Sequence, residues 1–129
     1  MMHASRNLVL LAVFFVIAGA AHFVIPLSYL AIVPQWVPYP LQMVYFTGAA
    51  EIVGGVALLL PSLRSTAGVG LIALLVCVFP ANIQMLGTAV DTNAPLFYQA
   101  ILFFRLPLQP LLILWVYRAA IRSSVREIS

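Results

Sequence analysis

The sequence predicts an all-α protein, a bundle of four transmembrane helices with a short proline-rich segment after the first helix. Hydrophobic residues make up 64% of its 129 residues and charged residues 7%, whereas a soluble domain carries roughly 25% charged residues. Four apolar stretches approach the length of about 20 residues that a helix needs to cross a bilayer. We therefore expect a single domain, residues 1–129, in a membrane.

Prolines mark the ends of several predicted spans. Pro26 ends the first, Pro40 opens the second and Pro95 opens the fourth, and proline is tolerated in a first helical turn because that N–H has no helical partner. The predicted spans are residues 8–25, 41–60, 66–86 and 96–116.

The first span has an alternative interpretation as a cleaved secretory signal. Arg6 would supply the basic start, residues 8–17 the apolar stretch, and residues 18–20 a small-residue cleavage pattern. The apolar stretch continues through residues 23–25, beyond that site. This continuation favours a helix that is retained.

Residues 25–40, between the first two spans, contain four prolines and many apolar residues. The segment is too short to cross the membrane and too apolar for a free loop. Irregular backbone at membrane depth has to be covered by protein. We therefore predict a short interfacial helix or a re-entrant segment that caps the bundle.

The distribution of arginines predicts the orientation. Residues 26–39 and 88–95 contain no Arg or Lys, and their one charged residue is Asp91. The positive-inside rule then places both termini in the cytoplasm, and we expect the bacterial cytoplasmic (inner) membrane. The five basic residues outside the spans are Arg6, Arg64, Arg118, Arg122 and Arg126.

Glu51 and Arg105 interrupt the second and fourth spans. A charge at the bilayer centre costs at least about 2.5–3.5 kcal/mol, so intramembrane ionisable groups are candidate functional residues. At 1.5 Å per residue both lie roughly 14–16 Å deep. We predict that the two face each other, or a ligand, in a polar interior. A purely structural pair and a protonated Glu51 are the alternatives.

Other polar side chains accompany these two charges in the predicted spans. With them they form the candidate ligand pocket: Glu51, Arg105, His22, Asn82, Thr47, Gln42 and Gln109. Each added residue also has a structural explanation. His22 is a candidate hydrogen-bonded structural residue, and the amides of Asn82 and Gln109 are candidates to satisfy carbonyls that nearby prolines leave free.

Several kinds of chemistry find no support. The sequence shows no catalytic motif, so the catalytic residues are unknown and enzymatic activity is uncertain. His22 and Glu51 alone cannot form a closed metal site, and we predict no metal. The arginines flank apolar stretches and do not form a nucleic-acid patch. Cys77 is the single cysteine, which excludes an intrachain disulfide, and we expect it to be a small buried hydrophobic residue.

Five blocks of sequence resemble the DoxX-like family of small bacterial membrane proteins, over about residues 18–87. They are residues 22–26, 32–38, 47–55, 59–64 and 78–85. The resemblance implies a four-helix membrane bundle and a loose association with quinone-linked membrane redox chemistry. Its motif positions here are His22, Glu51, Arg64 and Asn82. Some relatives carry paired cysteines, and the single Cys77 departs from that pattern.

The function expected from these observations is that of an accessory or ligand-binding subunit of a membrane redox system. Its ligand would be a small amphipathic molecule, with a quinone as the candidate cofactor. Its partners would be the lipid bilayer and either a redox subunit or further copies of the chain. The alternatives are a non-enzymatic protein that docks or assembles a partner, and a small transporter or proton relay.

Overall fold

The structure is a computed structural model that describes residues 5–31, 33 and 35–122. Arg126 of the orientation argument and residues 32 and 34 of the proline-rich segment lie outside these residues. The described part of the chain is helical and contains no strand. Its helices are α1 (Arg6–Val24), α2 (Pro26–Leu30), α3 (Pro40–Ala57), α4 (Arg64–Asp91) and α5 (Leu96–Val116), and α5 continues into a π-helical extension (Tyr117–Arg122).

Three helices are long and apolar enough to cross a membrane: α1, α4, and α5 with its extension. Helix α3 has 18 residues but is not among these candidates, because Glu51, Gln42 and several small residues lower its apolar character. The surface agrees with a lipid environment, since large apolar side chains such as Ile17, Phe104 and Val76 are exposed. The prediction of membrane helices is confirmed. Of the four predicted spans, three correspond to helices that are long and apolar enough to cross a membrane.

Helices α1 and α3 form the closest helix pair, and small residues permit it. A Cβ atom placed on Gly19 would lie 2.5 Å from the carbonyl oxygen of Gly48, and one on Gly48 would lie 2.6 Å from the Cβ of His22. Real Cβ atoms do not approach so closely, so this contact requires glycine. It brings the last turn of α1 directly against the first half of α3.

The densest packing lies at one end of the bundle, which we call the packed half. Here the beginnings of α1 and α4 meet the end of α3 and the π-helical extension. Phe15, Leu58 and Val116 are fully buried in this cluster, and Gly54 of α3 packs against Leu71 of α4. The packed half therefore joins all four long helices.

Helices α4 and α5 continue through their internal prolines. Pro80 lies inside α4, and Pro107 and Pro110 lie inside α5. Helix α4 has 28 residues and extends beyond the predicted span 66–86 at both ends. By contrast, α3 ends at Ala57, and a series of turns occupies the last residues of the predicted span 41–60.

The proline-rich connection begins with a short helix, as predicted. Helix α2 has five residues and starts at a proline. Further along, the Nε2 amide of Gln84 on α4 donates to the carbonyl of Val33, at 3.3 Å. Tyr39, between two prolines, has a φ of 50°, a left-handed conformation that is uncommon for a residue with a side chain. This backbone reversal leads the connection into α3.

Candidate functional site

A cavity of about 840 Å³ extends from the edge of the packed half, where Leu75, Leu112 and Trp115 line it, into the opposite end of the bundle. We call this opposite end the open half. Ligand sites commonly have volumes of about 300–1,000 Å³ and combine apolar walls with a few polar groups. Most of the lining here is apolar. The polar and charged residues that line it are His22, Tyr29, Thr47, Glu51, Asn82, Arg105 and Gln109.

The packing of the helices explains the position of the cavity. In the open half, α1 stays against α3, and α4 stays against α5, but the two pairs are not held together as they are in the packed half. The proline-rich connection covers part of the gap, since Val33, Trp36 and Val37 line the cavity. The predicted capping segment therefore lies over the predicted polar interior.

His22 and Glu51 form the ionic contact of the cavity. His22 Nε2 lies 3.1 Å from Glu51 Oε2, and this oxygen is buried without an aligned hydrogen bond. The other ring nitrogen, Nδ1, lies 3.0 Å from the carbonyl oxygen of Val44 and 3.1 Å from Thr47 Oγ1, which itself donates to Val44. His22 is thus held on both sides by α3.

These contacts restrict where hydrogens can lie on the pair. A backbone carbonyl only accepts hydrogen bonds, so His22 Nδ1 carries a hydrogen and donates to Val44. A lone pair on Nε2 facing a lone pair of Glu51 at 3.1 Å would be repulsive, so a hydrogen on Nε2 or on the carboxyl group makes the contact favourable. The carboxyl group of Glu51 therefore has its partner in His22.

Tyr29 of α2 stacks on His22, with ring centroids 3.9 Å apart and an angle of 24° between the rings. Burial raises the pKa of the Tyr29 phenol, the charge of Glu51 raises this pKa further, and Arg105 opposes the increase. Tyr29 is therefore a neutral hydroxyl at physiological pH, in the field of both cavity charges. The short helix α2 supplies this ring to the site.

Arg105 lines the same cavity but does not pair with Glu51. Its Nη1 donates to the sulfur of Met85 at 3.5 Å, and among the described residues the ion pair of Glu51 is with His22. The predicted Glu51–Arg105 pair is therefore wrong. The glycine contact between α1 and α3 places His22 next to Glu51. Helix α5 packs against α4 instead and lies on the other side of the cavity.

Asn82 and Gln109 connect α4 to α5 at the cavity wall. The Asn82 amide donates to Gln109 Oε1, and the Gln109 amide donates to the carbonyl of Leu75. Gln109 is buried, although it is polar. Gln109 thus binds a backbone carbonyl of the facing helix, but that of Leu75 lies five residues before Pro80, whereas the missing N–H of Pro80 leaves the carbonyl four residues before it without a donor. The predicted pairing of these amides with carbonyls freed by proline is therefore not found in this form.

Two residues differ from their predicted surroundings. Gln42 is exposed and does not line the cavity, since it lies in the first turn of α3, away from the α1 contact. Cys77 is exposed and lines the cavity, so the expectation of a buried residue is wrong. The apolar sequence around Cys77 indicates membrane depth, but it does not distinguish packing from exposure to a cavity.

The predicted site contained none of the Phe, Tyr and Trp residues of the cavity. Five of them line it: Phe14, Tyr29, Trp36, Phe46 and Trp115. The only available signal was the apolar character of the proline-rich segment, which indicated that it covers something. Their meeting in one cavity depends on tertiary contacts.

Arg64, a motif position of the resemblance, lies outside the cavity at the start of α4. It is 2% exposed, its Nε donates to the carbonyl of Leu58 at 2.9 Å, and its Nη2 is buried without a hydrogen bond. Arg64 thus ties the end of α3 to the start of α4. It contributes to the packed half and not to the candidate site.

The described residues contain no group of three His, Cys, Asp or Glu side chains that could hold a metal ion. The site is a mostly apolar cavity with an imidazole–carboxyl contact between α1 and α3 and a guanidinium on α5. Together with the exposed apolar surface, it defines a helical membrane protein with an internal cavity.

The chain belongs to the family described as a domain of unknown function, DUF8561, whose sequence profile matches residues 11–120. The match includes every residue that lines the cavity. No curated protein and no solved structure matches the chain.

Proposed function

We propose that this protein binds a small amphipathic molecule in the cavity of its open half, as an accessory or ligand-binding component of the membrane. The observation that carries the proposal is the cavity of about 840 Å³ itself. Its apolar walls suit a hydrocarbon tail, and His22, Glu51 and Tyr29 suit the polar atoms of a head group. A quinone, the ligand predicted from the sequence, has this combination of properties.

We further propose that α3 is a fourth span, and that both termini face the cytoplasm of a bacterium. The length of α3, 18 residues, corresponds to about 27 Å at 1.5 Å per residue, close to the thickness of the hydrocarbon layer. Its polar residues Thr47 and Glu51 line the cavity, whereas Val53 and Val56 are exposed and do not line it. We also propose that the chain is related to DoxX-like proteins and that it associates with a redox partner subunit.

The first experiment is mass spectrometry of the gently extracted protein. We expect a copurifying amphipathic molecule, and we expect Glu51→Gln to lose it while remaining folded. The matched control is Asp91→Asn, because Asp91 is an exposed carboxylate outside the cavity. Full retention of the molecule by Glu51→Ala would count against the proposal.

Cys77 allows a second, independent experiment. It is exposed to the cavity, whereas its neighbour Val76 is 57% exposed and does not line the cavity. N-ethylmaleimide should modify Cys77 in the membrane, and decylubiquinone should slow this reaction. In a Cys77→Ala background, Val76→Cys should react slowly with or without the quinone. Equal reaction at both positions, unaffected by the quinone, would contradict a ligand-accessible cavity.

A proton relay is a second candidate function, favoured by the 3.1 Å contact between the imidazole of His22 and the carboxyl group of Glu51. Intramembrane carboxylates and histidines often serve in such relays. In proteoliposomes, a proton flux that is abolished in Glu51→Gln and retained in Asp91→Asn would support it. Equal flux in protein-free liposomes would exclude it.

A further inference from the structure

We propose that the cavity selects amphipathic molecules with an anionic head group, a carboxylate on a single hydrocarbon chain, and that Arg105 is the residue that binds this head group. The inference rests on the proposed function and specifies the class of ligand. It follows from the charges that line the cavity and from the partners each charge already has.

The first step concerns the charges that line the cavity. Its ionisable lining residues other than Cys77 are His22, Glu51, Tyr29 and Arg105. Glu51 already has a partner in His22, 3.1 Å away. Tyr29 is a neutral phenol, and a guanidinium is charged at any physiological pH. Among the described residues, Arg105 is therefore a cation of the cavity that Glu51 does not pair with.

The second step is the lack of a strong acceptor for that charge. Arg105 has five N–H donors, and the hydrogen bond that the structure gives it is to the Met85 sulfur at 3.5 Å, a weak acceptor. A cation at membrane depth normally pairs with an anion or with carbonyl groups. A planar carboxylate can accept two parallel hydrogen bonds from a guanidinium.

The third step is the position of Arg105 relative to the apolar lining. Arg105, Leu108 and Leu111 are exposed and also line the cavity. A molecule can therefore reach the guanidinium from the side of the bundle along α5. Its hydrocarbon chain would then lie against the apolar wall formed by Leu74, Leu112 and Trp115. A single chain suits the cavity, because a two-chain phospholipid is much larger.

The two tryptophans make the inference testable without an added label. Trp36 and Trp115 are the only tryptophans of the chain, and both line the cavity. Trp36 is 75% exposed, so Trp36→Phe leaves Trp115 as the reporter. Bromine quenches tryptophan fluorescence on contact. The probes are ω-bromoundecanoate and ω-bromoundecanol, which differ only in the head group.

In nanodiscs of phosphatidylcholine, at a pH that ionises the free acid, we expect saturable quenching of Trp115 by the carboxylate. Dodecanoate should reverse it. The alcohol should bind about tenfold or more weakly, since it lacks the charge-assisted hydrogen bond. Arg105→Gln should remove this preference, and Arg105→Lys should keep part of it. The matched control is Arg122→Gln, which is exposed outside the cavity and should retain the full preference.

Two further ligands distinguish a failure of this inference from a failure of the proposed function. Dodecyl phosphate as a competitor distinguishes a phosphate from a carboxylate head group, and stronger displacement by the phosphate would overturn the carboxylate assignment. Decylubiquinone is the neutral amphipathic comparison. If acid, alcohol and quinone bind equally, and Arg105→Gln changes nothing, the inference fails while the proposed function stands. If no probe quenches Trp115 in a saturable way, both fail.

Discussion

His22 shows how one residue can organise a site within a membrane. Its Nδ1 donates to a backbone carbonyl of α3, its Nε2 contacts Glu51, and its ring stacks on Tyr29. A carboxylate at membrane depth is costly when it is alone, and the imidazole of His22 gives it a partner 3.1 Å away. The sequence indicated that Glu51 needs a partner but could not indicate which one.

Tyr29 should report the charge of Arg105. The positive charge lowers the pKa of the Tyr29 phenol, against the effects of burial and of Glu51, because a cation stabilises the phenolate. Arg105→Gln should therefore raise this pKa, so that Tyr29 ionises at higher pH than in the wild type. The phenolate absorbance difference between each protein and its Tyr29→Phe variant measures this. Arg122→Gln should leave the titration unchanged, and a decrease in Arg105→Gln would contradict the assigned geometry.

Arg64 allows a test of whether its hydrogen bond outweighs the cost of burying its charge. It makes one hydrogen bond to Leu58 and leaves Nη2 buried without a partner. A hydrogen bond from a charged group contributes about 1.5–3 kcal/mol, whereas burying an ion costs several kcal/mol. We therefore expect Arg64→Met to unfold at the same temperature as the wild type or higher. Arg64→Ala, which leaves a cavity, should unfold at a lower temperature.

A lower melting temperature in Arg64→Met, as low as in Arg64→Ala, would show that the bond to Leu58 outweighs the burial of charge. Circular dichroism in mild detergent measures all three proteins. The comparison also separates the loss of the charge from the loss of side-chain volume, since methionine fills much of the same space.

Among the elements, the α1–α3 pair sets the geometry of the site. Its contact relies on Gly19 and Gly48, where a Cβ atom would meet backbone atoms or the Cβ of His22. We expect Gly48→Ala to separate α1 from α3 and to destabilise the fold by about 1–3 kcal/mol, as overpacking does. It should also weaken binding of the amphipathic probes, because His22 moves away from Glu51.

Gly70 is the matched control for Gly48, since a Cβ atom at Gly70 meets nothing within 4 Å. Gly70→Ala should leave binding unchanged and stabilise α4 by up to about 1 kcal/mol, because alanine is the better helix former. Reversible unfolding in detergent, together with tryptophan quenching, measures both variants. Equal behaviour of the two variants would show that the close contact between α1 and α3 is not required.

The limits of α1 and α5 were predictable from sequence because apolar length and proline determine them. Residues 8–25 and 96–116 agree closely with Arg6–Val24 and Leu96–Val116. The length of α4 was underestimated, since the apolar pattern ends near residue 86 while the helix continues to Asp91. The π-helical extension gave no sequence signal.

For the site, the sequence identified the residue types but not their pairing. Six of the seven candidate residues line one cavity, and Gln42 does not. Depth along a helix could be counted from the sequence, and depth alone suggested that Glu51 and Arg105 meet. Which helices are neighbours depends on tertiary packing, and the glycines of α1 and α3 decided it in favour of His22.

At the scale of the whole molecule, the number of spans decides where the termini lie. With α3 as a fourth span, both termini lie on one side of the membrane; with three spans they lie on opposite sides. We expect reporter fusions at the N-terminus and the C-terminus to show both in the cytoplasm, as the arginines predict. Opposite locations would show that α3 does not cross the membrane, and Glu51 would then lie outside the bilayer interior.

The uneven packing of the two halves has a consequence for how the molecule moves. Local opening is easiest where few apolar contacts hold the backbone, so amide hydrogens of α5 around Leu108 should exchange with solvent deuterons sooner than those around Val116. An occupant of the cavity would slow the first group and leave the second unchanged. The proposed ligand would then enter at the loosely joined end, while the opposite end keeps the helices together.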